Sequence, residues 1–542
     1  MSNVESASQL SLKRQVGLTG LLFTAVSGFV GSGWLFASMY AAQLAGPASI
    51  ISWCIGSAVI LVLALVYAEL GGMLPVGGAL ARVPYFAIGP TGGFFAGWMI
   101  WIAYVATGPI EVIAVLDYAS NYLPWLTSNP DGERVLTPAG LALAATLLVL
   151  FTVINLLGIK WLAEVSTWMG IWKLSIPLIA PIALIIVGLK PENFSEFGGF
   201  APYGVAGVLG AVSSGGIMFS YLGFRMVLDL AGEVKNPQVN VPLTLMLAVL
   251  FSSVMYVLLQ VAFIGVIPAE HLQNGWGGIT ETAPGGPFAA FAAILGLKVL
   301  AFALYSDAII SPAGCGLAFV GSTARVNYGM AKNRQFPTVF TKLNRFHVPS
   351  IALLVNAAIG MFLLLPLPGW NEMASLISTA AVMSFAMGPV SLIVMRHQLP
   401  GFERPFRLPA SHLISTLAFV LVGFIVYWTG WETNSKILLA GLFGFVFLAV
   451  MRWSQKQSRP PMFWRASMWM WPYYAGIAVI SYLGNYGNGL AVLPQGLDLA
   501  LIALLSLGTL WVAVRYRLSS DEVRTLMEED KGTAAELNLD RT

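Results

Sequence analysis

Two cysteines, four histidines and a charged fraction of only 10% set the first limits on this chain of 542 residues. Cys54 and Cys315 both fall in apolar stretches, so they suggest neither a disulfide framework nor a metal site. The histidines are scattered, and no nucleophile elbow, metal-ligand cluster or phosphate-binding loop accompanies them. An enzyme is therefore not expected, nor is a bound cofactor. A net charge of +3 says little by itself, and no nucleic-acid partner is expected. Residues 1–15 are polar, end near Lys13-Arg14, and lack the cationic start, apolar run and small-residue cleavage site of a signal peptide.

Apolar residues are what the chain has in excess, 57% of it, with a mean hydropathy of +0.78. That is the composition of an all-α polytopic membrane protein, held among lipid, not of a soluble multi-domain chain. Counting apolar stretches of about 20 residues predicts fourteen spans, near 17–42, 46–70, 91–122, 138–158, 162–188, 206–231, 242–266, 288–321, 349–366, 374–395, 411–430, 434–452, 466–485 and 495–515. With both termini cytoplasmic, 22 of the 28 Lys and Arg fall on the cytoplasmic side. Arg134, Lys190 and Lys436 lie outside, and Lys173, Arg225 and Lys298 lie within spans. This positive-inside bias supports an even number of spans. The expected location is a membrane crossed many times, with both termini on its cytoplasmic side.

Two spans are interrupted. The first breaks at Gly31-Ser32-Gly33 and the sixth at Ser220 to Gly223, about 190 residues later. A broken helix in lipid frees backbone groups, so breaks persist where they line a protein cavity. Arg225 follows the second break at a depth that costs about 2.5–3.5 kcal/mol, and so is expected to face that cavity or a counter-charge. Spans one to five (17–188) and six to ten (206–395) have similar lengths. Five is odd, so the second set enters with opposite topology. Paired interruptions in inverted halves point to a midplane binding site, although glycine also serves close helix packing. Four further spans (411–515) fall outside the repeat. The tail (516–542), with Asp521, Glu522, Glu528, Glu529 and Asp530, reads as a short solvated helix beyond the membrane, and residues 1–16 form the other cytoplasmic end.

Several stretches together carry a family likeness. Val30-Gly31-Ser32-Gly33-Trp34-Leu35-Phe36 resembles the unwound first helix of the amino acid–polyamine–organocation superfamily. Gly46-Pro47, Tyr67-Ala68-Glu69-Leu70-Gly71 and Leu74-Pro75 are similar to its second helix and following loop. Gly232-Glu233-Val234-Lys235-Asn236-Pro237 resembles the sequence after its sixth helix, with Gly232 where an acidic residue is common, and Thr323 to Pro337 resembles the loop after its eighth. Within the superfamily the chain looks most like bacterial aspartate–proton symporters, through Ile110-Glu111-Val112, Met218 to Gly223, Asp307-Ala308-Ile309, Tyr427-Trp428 and Gly430-Trp431. Arg225 is a departure, since histidine is expected there in that subgroup. The resemblance implies the inverted five-plus-five helix fold and transport of a small amino acid.

At a break, the second half-helix exposes amides and partial positive charge. An α-carboxylate would then sit on Gly31, Ser32 and Gly33. The resemblance implies that the ammonium group lies on carbonyls around Phe219, Ser220 and Leu222. Tyr221 and Trp34 border the breaks and either cover the substrate or pack the core. Arg225 suits a side-chain carboxylate through bidentate hydrogen bonds, or it pairs internally with Asp229 four residues on, or with Glu111. Lys173 is similar to a lysine found in some proton-coupled relatives, where it replaces a sodium ion's charge. Its alternative is a structural tie to carbonyls of the broken first helix. Glu111 and Asp307 are the intramembrane acids expected to carry protons, or else to balance Arg225 and Lys173. Asp117 reads as solvated, Lys298 as a snorkelling anchor, and Trp428, Trp431, Trp469 and Trp471 as an interfacial belt.

The combined expectation is an importer of one acidic amino acid, L-aspartate or L-glutamate, driven by protons through alternating access. The rivals are an exchanger of the same fold, a carrier of a neutral amino acid, and a membrane sensor. The short tail of about 25 residues argues against the last.

Overall fold

The computed structural model describes residues 14–128, 135–279, 287–364, 370–454, 461–494 and 496–529. Residues 1–13 of the expected N-terminal segment, 530–542 of the tail, and Arg134 lie outside them. Apolar runs in lipid must satisfy their own backbone groups, and helices do so within one segment. The first run forms α1 (Leu18–Phe29) and α2 (Gly33–Ala45), and a 3₁₀ turn at Gly46–Ala48 leads into α3 (Ser49–Met73). Next come α4 (Ala79–Ala119), α5 (Pro138–Leu156) and α6 (Ile159–Gly188). Gly89 has φ +83° inside α4, so the span expected from 91 is preceded by a shorter helix set at an angle to it. A two-stranded ribbon, β1 (Thr127–Ser128) with β2 (Val135–Leu136), leads into α5.

The second run is α7 (Gly204–Ser214), α8 (Ile217–Ser220), a 3₁₀ turn at Leu222–Arg225, and α9 (Met226–Asp229). α10 (Pro237–Val266), α11 (Pro287–Ile294), α12 (Lys298–Lys332), α13 (Ser350–Leu363), α14 (Trp370–Phe385) and α15 (Met387–Gln398) follow. The chain continues through α16 (Ser411–Thr429), α17 (Trp431–Ser454), α18 (Trp464–Ser467), α19 (Met470–Leu483), α20 (Leu497–Arg515) and α21 (Ser520–Glu528). Among the described residues ten helices are long and apolar enough to cross a membrane. The number is eleven when Gly204–Ser220 and Leu222–Asp229, bent by 49°, count as one broken span. Leu18–Phe29 and Ser350–Leu363 are shorter apolar helices. The protein is thus a helical, multi-pass membrane protein.

The centre is built where α4 and α12 run along each other, with α3 against α10 and the first broken run wedged against α6, α10 and α12. The late helices brace this centre. α16 packs on α3, α7, α14 and α15, while α17 and α18 lean on α4. Trp98 Nε1 donates to the Ala440 carbonyl at 2.9 Å, and Ser467 Oγ donates to the Ile88 carbonyl at 2.6 Å beside the Gly89 kink. Two sequence expectations change here. Trp428 and Trp469 are buried, the latter against Phe419 and Tyr473, so they pack the late helices instead of forming a belt. The tail helix α21 is docked, not simply solvated: Val523, Leu526 and Met527 form its buried face, and a Ser519–Glu522 capping box starts it.

Candidate functional site

Four of the backbone groups opened by the first break meet partners from four different helices. On the carbonyl side, Lys173 Nζ of α6 donates to Ser27 O at 2.8 Å, Cys315 Sγ of α12 to Gly28 O at 3.4 Å, and Tyr256 Oη of α10 to Phe29 O at 2.6 Å. On the amide side, the Ser32 N–H donates to Glu111 Oε2 of α4 at 2.8 Å. Glu111 Oε1 is buried without a hydrogen-bond partner among the described residues. Four helices therefore hold one unwound segment, which is how a break survives at this depth.

The second break lies directly against the first. Gly216, with φ +82°, turns α7 into α8, and the 3₁₀ turn at Leu222–Arg225 changes the helical pitch past the break. A Cβ at Gly223 would collide with the Gly28 backbone, and one at Gly33 would lie 2.5 Å from Ser220 Oγ, so glycine sets how closely the two segments approach. The Tyr256 hydroxyl also lies 3.0 Å from Ser220 O. One phenol thus touches both breaks, and its ring stacks on Trp53 at 4.7 Å.

A narrow cavity, too constricted for a water molecule, lies between them, lined by Gly31, Gly33, Phe219, Ser220, Leu222, Glu111 and Cys315. Lys173 stands outside this lining, on the carbonyl side of the first break. Its Nζ also donates to Ser311 O at 2.8 Å, and Ser311 Oγ donates to both oxygens of Asp307 at 2.8 and 2.9 Å. Lys173 and Asp307 are therefore linked through one serine, and the expected tie from Lys173 to the broken first helix is present.

The remaining expected residues fall elsewhere. Tyr221 turns away from the cavity, its hydroxyl 2.6 Å from Ser57 Oγ and 3.3 Å from Ser253 Oγ. Trp34 stacks on Phe288 at 5.8 Å and is core packing. Arg225 is buried and does not line the cavity. Its guanidinium lies 4.4 Å from the Phe385 ring centroid and 5.4 Å from that of Tyr67, and Nη1 donates to Ser384 Oγ at 2.7 Å. No ion pair within 4 Å joins it to Asp229 or Glu111 among the described residues, and its Nε has no hydrogen-bond partner. Asp117 is half-buried, and Lys298 is exposed at the start of α12.

Two sets of contacts that the sequence did not reveal accompany the breaks, one ionic and one aromatic. On the Lys/Arg-rich face, Arg325 meets Glu233 with Nε–Oε1 at 2.5 Å and Nη2–Oε2 at 3.2 Å, both side chains fully buried. The chain before α1 lies across them: the Gln15 and Val16 amides donate to Glu233 O at 2.9 and 3.0 Å, and Lys235 N–H to Val16 O at 2.8 Å. Glu69 nearby holds Arg396 through two hydrogen bonds of 2.9 and 2.6 Å, and Arg404 at 3.3 Å. On the opposite face Trp370 lies over the breaks, its Nε1 donating to Ser32 Oγ at 2.8 Å and its ring 5.4 Å from Phe219. Glu69 and Glu233 stood inside the family-like segments. Trp370 carried no signal beyond being aromatic.

The chain matches the amino acid permease family over residues 15–451. It is 36% identical over 507 residues to the glutamate/serine transporter AimA of Bacillus subtilis (strain 168), covering 92% of each chain. It is 36% identical over 504 residues to the aspartate-proton symporter of the same organism, covering 92% of this chain and 96% of the relative. The branched-chain amino acid permease BcaP, also from Bacillus subtilis, is 26% identical over 465 residues, covering 84% of this chain and 96% of the relative. These relatives are named as transporters and a permease, not as enzymes. The two facing breaks and the charged groups that hold them open thus belong to a known kind of protein: this chain is a member of the amino acid permease family.

Proposed function

We propose that this chain is a proton-coupled secondary transporter that takes up an acidic amino acid, L-aspartate or L-glutamate, across a bacterial inner membrane by alternating access. No cofactor is involved beyond the proton as coupling ion. In this reading α1 to α6 (17–188) and α7 to α15 (206–395) are two inverted five-span repeats, 411–515 adds four spans for a total of fourteen, and 1–16 and 516–542 face the cytoplasm. The Lys/Arg-rich face is then the inner one.

The observation that carries the reading is the Ser32 amide on Glu111 Oε2 at 2.8 Å. The N-terminus of α2 is a place for an anion, and a carboxylate of the protein already occupies it. A substrate α-carboxylate on Gly31, Ser32 and Gly33 would need the same amide. Two carboxylates repel at that distance, so the substrate enters when Glu111 is protonated or withdrawn. The substrate ammonium then lies on carbonyls of Phe219, Ser220 and Leu222. Lys173 ties the carbonyl side of the first break at Ser27 O and is linked to Asp307 through Ser311, so the two share one hydrogen-bonded path. Arg225 lies outside the cavity lining with Nε unpartnered, and reaches the side-chain carboxylate once the narrow cavity widens.

The test is uptake of labelled L-aspartate into proteoliposomes with and without an inward proton gradient. Wild type accumulates substrate, whereas Glu111→Gln and Lys173→Ala lose gradient-driven accumulation and keep some exchange. Unchanged accumulation in both variants sinks the coupling scheme. The withdrawn position of Arg225, together with the serine named for one 36% relative, favours one second reading, a carrier for a small neutral amino acid. Serine uptake that outruns aspartate uptake decides for it. Counterflow with no gradient response would instead identify an exchanger.

A further inference from the structure

Trp370 is half-buried at the first turn of α14, while the rest of that helix from Ile377 onward is buried scaffold. Its indole touches both broken runs at once. Nε1 donates to Ser32 Oγ at 2.8 Å, the ring lies 5.1 Å from Phe36 and 5.5 Å from Tyr40, nearly parallel to the latter at 11°, and it meets Phe219 edge-on at 5.4 Å. Gly216 lies beneath it, where a Cβ would come within 3.1 Å of the ring. On this face the contacts above the cavity are aromatic stacking and one hydrogen bond. Ser32 is consequently held from two directions, by Trp370 at its hydroxyl and by Glu111 at its amide.

We propose that Trp370 is the substrate-capping residue of this permease, closing over the amino-acid backbone on the face opposite the Glu233–Arg325 pair, and that Ser32 joins the cap to Glu111. The inference rests on the substrate site proposed above. An amino acid held between residues 31–33 and Phe219–Ser220 lies directly under the indole, so the ring must swing off Ser32 to admit it. Swinging away breaks one hydrogen bond and the stacking on Tyr40 and Phe36. The indole is therefore able to move without dismantling the scaffold.

Cys315 lines the cavity beneath the cap and serves as a reporter, since the other cysteine, Cys54, is exposed on α3 and removable as Cys54→Ser. Intact cells expressing C54S, C54S/W370A or C54S/W370F are treated with a membrane-impermeant methanethiosulfonate reagent from outside. Cys315 is expected to react at least about ten-fold faster in C54S/W370A than in C54S, at an intermediate rate in C54S/W370F, and more slowly again with saturating L-aspartate. For uptake, Trp370→Phe keeps the ring and loses the N–H, which is expected to raise KM about five-fold with little change in kcat. Equal labelling rates in C54S and in either Trp370 variant that reaches the membrane overturn the cap. Faster labelling from inside-out vesicles alone overturns it as well. Labelling requires no transport, so accelerated labelling alongside a wild type that fails to take up aspartate sinks the substrate reading and leaves the cap in place.

Discussion

The two faces of the central cavity are closed by different chemistry. Toward the Lys/Arg-rich face lie a buried ion pair, Glu233–Arg325, and a part-buried group, Glu69–Arg396–Arg404, with a backbone strap of Gln15 and Val16 across the first. Toward the other face the cover is aromatic, Trp370 on Tyr40, Phe36 and Phe219, with one hydrogen bond to Ser32. Buried ions stand their desolvation only while every partner stays in place, so the first seal opens as a unit or not at all. Stacked rings slide and separate in small steps. A carrier closed by an ionic lock on one side and an aromatic cover on the other is biased to release the aromatic side first.

Breaking the ionic seal should produce the largest effect. Arg325→Ala strands the Glu233 carboxylate in a buried site, and removing one partner of a buried pair costs about 3–5 kcal/mol. A thermal-shift measurement in detergent is expected to show a large loss of stability. In inside-out vesicles Cys315 should label faster than in wild type. The double variant Glu233→Met with Arg325→Met removes both charges and should recover most of that stability. A double variant as unstable as the single one would mean that the pair is not the seal.

A smaller effect is expected from Arg225, which stands between the two closures. Arg225→Ala removes a guanidinium held by Phe385, Tyr67 and Ser384. If it meets a side-chain carboxylate in the loaded state, one charged hydrogen bond is lost, worth about 1.5–3 kcal/mol. Aspartate KM should then rise about ten-fold or more while serine uptake changes little. An equal loss for both amino acids would mean that Arg225 supports the second break and does not read the substrate.

How much of this could be seen in the chain follows from which physical signals are local. Gly31-Ser32-Gly33 and Ser220 to Gly223 interrupt apolar runs, and Glu111, Lys173 and Asp307 are charges inside such runs, so each announces itself without a partner. Of these, Gly31, Gly33, Glu111, Phe219, Ser220 and Leu222 lie along one narrow cavity, while Lys173 and Asp307 stand outside its lining. The directions of Tyr221 and Arg225 were not visible, because the 3₁₀ turn at Leu222–Arg225 alters the rotation per residue and so the face each side chain takes. Trp370 was hidden among 17 Trp and 31 Phe, where nothing local separates a cap from an anchor. The docked face of α21 was present as Val523, Leu526 and Met527 at three- and four-residue spacing, but its acidic neighbours suggested a solvated helix.

The smallest expected effect tests whether the two closures communicate through the breaks themselves. Tyr256 is placed between them, its hydroxyl 2.6 Å from Phe29 O in the first break and 3.0 Å from Ser220 O in the second. A phenol has one proton, so these two carbonyls share it, and Tyr256→Phe removes one hydrogen bond while keeping the ring on Trp53. The loss in stability should be about 1 kcal/mol, a shift of a few degrees at most. The functional consequence is distinct. With the shared proton gone, the two breaks lose a direct tie to each other, so Cys315 labelling from outside should lose its slowing by aspartate. If Tyr256→Phe labels and is protected as wild type is, the two breaks move together for another reason, and the close Gly28–Gly223 approach is the contact that couples them.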